Sequence, residues 1–143
     1  MKRDFIAKAT IDIEAPPSKV WKALIDPAQI KQYLFGTEAI SDWKVGSKID
    51  FKGAWDGKEY HDKGKIIEMT QDQFLKYTFW SSFSGSEDLP ENYSNVSFGL
   101  VSFAKGTRLT LTQDNNVSEE SKEHSEQNWN QVLNKLKVLL EKN

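Results

Sequence analysis

The chain has 143 residues, 38% hydrophobic and 28% charged, with a net charge of -2, a composition of one soluble globular domain and not of a disordered or membrane-spanning chain. Its 19 Lys and Arg are offset by 21 Asp and Glu and scattered along the sequence, so no basic stripe is available to neutralise a nucleic-acid backbone. With no cysteine, disulfides, thiolate metal sites and cysteine nucleophiles are excluded.

Residues 1–143 therefore read as a single domain. The start, Met1-Lys2-Arg3-Asp4-Phe5, passes directly into an alternating pattern without the apolar stretch of a signal peptide, so the expected address is the cytoplasm, with no membrane partner. Phe5, Ala7, Ala9, Ile11 and Ile13 fall on one face and Lys8, Thr10, Asp12 and Glu14 on the other, the pattern of a half-buried strand. Pro16-Pro17 ends it, and Pro17 suits a first helical turn, where its missing N–H has no partner to lose. Val20, Trp21, Leu24 and Ile25 follow at helical spacing. Asp26, Pro27 and Gln29 are the N-cap, first position and capping-box position of a second short helix, with Ile30, Tyr33 and Leu34 as its buried face.

After Gly36 the period changes to two, which predicts an antiparallel meander. Ile49, Phe51 and Trp55 share a face, Asp56-Gly57 signals a two-residue hairpin, and Lys58 to Met69 supplies the return strand. Gln71-Asp72-Gln73 makes the next turn. The strand beyond it sets Leu75, Tyr77 and Phe79 on one side and Phe74 and Trp80 on the other. Ser81 to Asn92 has no period and reads as the longest loop. Val96 to Phe103 and Thr107 to Gln113 form a hairpin closed at Lys105-Gly106, and Asp114-Asn115-Asn116 is expected to break the sheet.

Ser118 then opens a long helix reaching Lys142, with Glu119 and Glu120 placed to suit its dipole. Trp129, Val132, Leu133, Leu136 and Leu140 make an apolar stripe at steps of three and four. The same face continues N-terminally through Ser125, Lys122 and Ser121, so the helix is greasy in its second half and polar in its first. A helix sealing a dry core is apolar along its whole length; this one predicts a closed end and an open one.

Several phrases in this order resemble one known family. Ala15-Pro16-Pro17-Ser18-Lys19-Val20-Trp21, with Asp26-Pro27, is similar to the opening of the SRPBCC or START-like superfamily, and Trp43-Lys44-Val45-Gly46-Ser47 to the turn after its helices. Lys76 to Trp80, Leu89 to Val96, Gly106 to Thr112 and the tail from Trp129 to Glu141 resemble its branch named for the activator of heat-shock protein 90 ATPase. The resemblance implies an α+β helix-grip fold: a strand, two short helices, a six-stranded meander and a long C-terminal helix gripped by the curved sheet. It also implies a hydrophobic cavity between helix and sheet. It implies no single function, because relatives include lipid and plant-metabolite binders, polyketide cyclases and a chaperone-binding domain. Tyr33 stands where many relatives carry Trp.

The candidate chemistry is sparse. His61 lies beside Asp62 and Glu59, and His124 is placed on the helix flank away from the Trp129 stripe; neither belongs to a set at ligand spacing, so no metal and no cofactor is expected. No nucleophile elbow, phosphate-binding glycine loop or ordered acid–base pair is present, no catalytic residue is assigned, and an enzyme, such as a small cyclase or hydrolase, is the less favoured reading. The acidic residues Glu87, Asp88, Glu91, Glu119, Glu120 and Glu123 read as solvated faces more readily than as a docking patch. What stands out is 12% aromatic residues, five Trp, eight Phe and four Tyr. Trp21, Tyr33, Phe51, Trp55, Tyr77, Phe79, Phe98, Ser125, Trp129 and Leu133 are the candidate cavity residues, with Tyr33, Tyr77 and Ser125 as the polar groups that orient a ligand. The partner classes are thus a small apolar or amphipathic ligand and, as the alternative, a chaperone.

Overall fold

In the computed structural model, which describes residues 5–82 and 86–142, with the side chain of Trp55 outside that description, the alternating segments form seven antiparallel strands. Strand β1 (Phe5–Ile13) is followed by helices α1 (Pro17–Ile25) and α2 (Pro27–Tyr33). The meander is β2 (Glu38–Ser41), β3 (Lys48–Trp55), β4 (Lys58–Thr70), β5 (Phe74–Phe79), β6 (Ser94–Phe103) and β7 (Gly106–Asn116), and α3 (Glu119–Glu141) ends it. The order across the sheet is β1-β7-β6-β5-β4-β3-β2, so the first strand closes on the last and the helix pair spans from one edge to the other. This is the α+β helix-grip architecture.

The local signals act as their chemistry requires. Asp56 and Gly57 both take positive φ, 51° and 78°, the backbone of a tight turn whose twist suits a hairpin. Ser118 accepts a hydrogen bond from the Ser121 N–H and caps α3. Asp26 accepts from Ala28 N–H, while the Gln29 amide bonds the Asp26 carboxylate rather than its backbone, a variant of the expected box. In β4, Gly64 is obligatory, because a Cβ there would lie 1.6 Å from the Thr78 carbonyl oxygen.

The concave face carries the core. Ile13, Ile49, Ile66, Leu75, Leu109 and Leu111 from the strands meet Val20 of α1 and Leu133 and Leu136 of α3, all essentially removed from water. Each such side chain contributes roughly 2 kcal/mol. Helix α3 also covers the open edge of β1 with side chains: Glu126 accepts from Lys8 N–H at 2.9 Å, Glu141 from Glu14 N–H at 2.8 Å, and Lys137 donates to the Asp12 carbonyl at 2.7 Å. Two N–H groups and one carbonyl along an edge that would otherwise invite another chain are thereby engaged within the domain.

Asp114-Asn115-Asn116 does not break the sheet. Strand β7 continues to Asn116 through an irregularity in its pairing with β1, and Asn115 takes a positive φ of 60°. The amides of Asn115 and Asn116 bond backbone carbonyls of neighbouring segments, so these polar side chains hold the strand end that their composition was expected to interrupt. Among the described residues no helix is long and apolar enough to cross a membrane.

Candidate ligand-binding cavity

The two halves of α3 meet different surroundings. From Val132 to Leu140 the apolar stripe is buried against the sheet and α1–α2. Toward the N-terminus the helix keeps its bonds to β1 and β7, and a cavity of about 690 Å³ opens to solvent between α3, the end of α2 and the β3–β4 hairpin. That volume lies within the range of small-molecule sites. Beneath it a void of about 20 Å³ reaches Tyr33, Phe98 and Leu133, on the scale of a single water.

The cavity wall is a connected aromatic surface. Phe79 meets Phe51 edge-on with ring centres 5.8 Å apart, Phe51 meets Tyr77 at 5.8 Å, Tyr77 meets Phe98 at 6.0 Å, and Phe98 meets Trp129 at 6.2 Å and 89°. These are the offset and edge geometries that ring quadrupoles favour. Trp129 is fixed by donating its indole N–H to the Gln113 side-chain oxygen at 2.6 Å, and both residues line the opening.

The three polar groups singled out from the sequence have different fates. Tyr33 is buried and donates to the Ala23 carbonyl at 3.0 Å. That carbonyl needs a donor, because its helical partner four residues on is Pro27, which has no N–H. Tyr33 is therefore a structural clamp between α1 and α2. Ser125 lines the cavity, but its hydroxyl donates to the Asn116 side-chain oxygen at 3.1 Å, which ties α3 to the end of β7. Tyr77 differs from both: only 6% exposed, it has no hydrogen-bond partner for its hydroxyl among the described residues. No fully buried side-chain oxygen there lacks a partner, so this hydroxyl opens onto the cavity that Tyr77 lines. Burial pushes the Tyr77 phenol well above its ordinary pKa and does the same to Tyr33, so both remain O–H donors across the physiological range.

Of the remaining sequence candidates, Phe51, Phe79 and Trp129 line the large cavity, and Phe98 and Leu133 lie beneath it. Trp21 is buried in α1 and reaches neither space. The Trp55 side chain lies outside the described residues. Ser121 and Lys122 stand outside the opening, with Lys122 paired to Glu126.

Sequence reasoning missed most of the rim. His124 was placed away from the site, yet it lines the opening together with Asn128 and Gln131. These three recur at i, i+4 and i+7, one polar row flanking the apolar stripe, and that spacing was the available signal. Phe35, just after α2, is 48% exposed with a positive φ of 56°, uncommon for a bulky residue, and its ring lies 4.9 Å from the Lys135 ammonium. Asp62, named from the sequence only as a neighbour of His61, is a further such residue. It pairs across the sheet with Phe51 and so shares the concave face, where it accepts from Ser82 N–H and from the Ser81 and Ser82 hydroxyls. Burial raises its carboxyl pKa above the ordinary value despite those bonds, and Ser81 stands between it and the cavity. His61 itself faces the other side, with Nε2 2.7 Å from Asp50 Oδ1. Asp88 of the acidic group is engaged by Lys63 and Tyr93.

Fold and cavity together define a helix-grip domain of the SRPBCC kind. The chain belongs to the family of activator of Hsp90 ATPase homolog 1-like proteins, whose family model matches residues 14–141. It is similar to ChR145 from Cytophaga hutchinsonii, with 47% identity, coverage of 99% of this chain and 97% of that one, and a TM-score of 0.86. It shares its fold with the Aha1 dimer from Colwellia psychrerythraea (20% identity, 94% and 95% covered, TM-score 0.73). The same fold occurs in DynU16, of the dynemicin biosynthetic locus (17% identity, 96% and 48% covered, TM-score 0.81). No curated protein matches the chain at a significant level.

Proposed function

We propose that this domain is a non-enzymatic binding module that holds a small apolar or amphipathic molecule between the N-terminal half of α3 and the sheet. The observation that carries the reading is the 690 Å³ cavity, walled by Phe51, Tyr77, Phe79 and Trp129 and rimmed by neutral polar side chains. A core that only packs would close to interior density and leave no such space. The perturbed groups fit binding better than proton transfer. Tyr77 is held protonated as a donor, and Asp62 sits behind Ser81. Amide NMR titrated with a panel of lipids and polyketides tests the proposal. Shifts clustered on β3, β5 and residues 124–132 are expected; a panel that moves none of these amides refutes it.

Family membership favours a second reading, a chaperone accessory of the heat-shock protein 90 type. It predicts that the purified domain alters the ATPase rate of that chaperone and still does so when the cavity is filled. An unchanged rate at saturating domain rejects it.

A further inference from the structure

Given the cavity as a ligand site, on which this inference rests, we propose that it selects an uncharged, ring-bearing molecule whose inner end presents a hydrogen-bond acceptor to the Tyr77 hydroxyl. Three observations converge. First, among the described residues the lining holds no Lys, Arg, Asp or Glu; the ionisable side chains are Tyr60, Tyr77 and the exposed His124. A carboxylate or phosphate entering there would lose its hydration and meet no cation, and such a charge does not bury without a partner. The nearby ammonium of Lys135 rests over the Phe35 ring instead of lining the space.

Second, the inner wall is made of ring edges and faces. The chain of contacts from Phe79 through Phe51, Tyr77 and Phe98 to Trp129 offers a planar guest the same offset and edge contacts that the rings make with one another. A flexible acyl chain uses none of that directionality. Third, the Tyr77 O–H has no acceptor among the described residues and opens onto the cavity, so it is the donor left for a guest's acceptor to meet. Tyr33 and Ser125 cannot take its place, since each already donates to the protein. Toward the mouth, Ser81, Asn128 and Gln131 suit a neutral polar outer end.

The test uses the full chain and three probes with one ring system substituted at one position: acetylnaphthalene, naphthoate and ethylnaphthalene, titrated at neutral pH by calorimetry and amide NMR. Acetylnaphthalene should bind about tenfold or more tighter than either of the others. In Tyr77→Phe its advantage over ethylnaphthalene should collapse toward unity, while the discrimination against naphthoate persists. Naphthoate binding as tightly as the ketone, or a ketone preference that survives Tyr77→Phe, overturns the inference and leaves the cavity reading standing. If none of the three probes moves the cavity amides while the lipid and polyketide panel does, this inference alone fails; if neither set moves them, both fail.

Discussion

Two buried tyrosines give the sharpest test, because their hydroxyls meet different surroundings. Tyr33 donates to the Ala23 carbonyl, orphaned by Pro27, whereas Tyr77 has no partner among the described residues. Replacing Tyr33 by Phe leaves a buried carbonyl without its donor, which costs about 1–3 kcal/mol. Replacing Tyr77 by Phe removes a hydroxyl that leaves no described protein group without its partner, so the change should fall within about 0.5 kcal/mol of zero or be slightly stabilising. At about 3 °C per kcal/mol for a chain of this length, Tyr33→Phe should melt several degrees below Tyr77→Phe. Urea unfolding followed by tryptophan fluorescence measures the difference as a shift in midpoint at unchanged slope. Equal losses in the two variants would refute the assignment of one tyrosine as clamp and the other as free donor; so would a neutral Tyr33→Phe.

Other substitutions examine the frame around the cavity. Gly64→Ala drives a Cβ into the Thr78 carbonyl and should cost about 3 kcal/mol or more, read as lost soluble yield or a depressed melting temperature. Leu133→Ala, at a side chain 1% exposed, should cost about 2–5 kcal/mol, while Val138→Ala on the exposed side of the same helix should stay within about 0.5 kcal/mol, both by urea midpoint. Asp62 has a folded pKa raised by burial, so its protonated form favours the fold: that stability is present below the unfolded pKa and is lost as pH rises through the folded one. Wild type should therefore lose stability relative to Asp62→Asn as pH is raised from about 3 into the neutral range, and a difference that is flat or of opposite slope contradicts the placement of Asp62.

Local chemistry determined much of this protein. The strand alternation, the Asp56-Gly57 turn, the caps at Asp26 and Ser118 and the division of α3 at Trp129 all follow from spacing and residue type, because each depends on neighbours within a few positions. Only the tertiary structure decided what the faces enclose. Tyr33 and Tyr77 look alike in sequence, two aromatic residues in apolar periods, yet one meets a carbonyl left bare by Pro27 and the other meets open space. His124 reads as a solvated flank until the curvature of the sheet brings the β3–β4 hairpin opposite its row. Asp62 stands in the sequence only as a neighbour of His61, and its register with Phe51 is what turns it inward. The same holds for Asp114 to Asn116, whose strand-breaking composition is overruled by pairing with β1 and by the Asn side-chain bonds. Period tells which way a side chain points; register and curvature, set by contacts between distant segments, determine what it meets there.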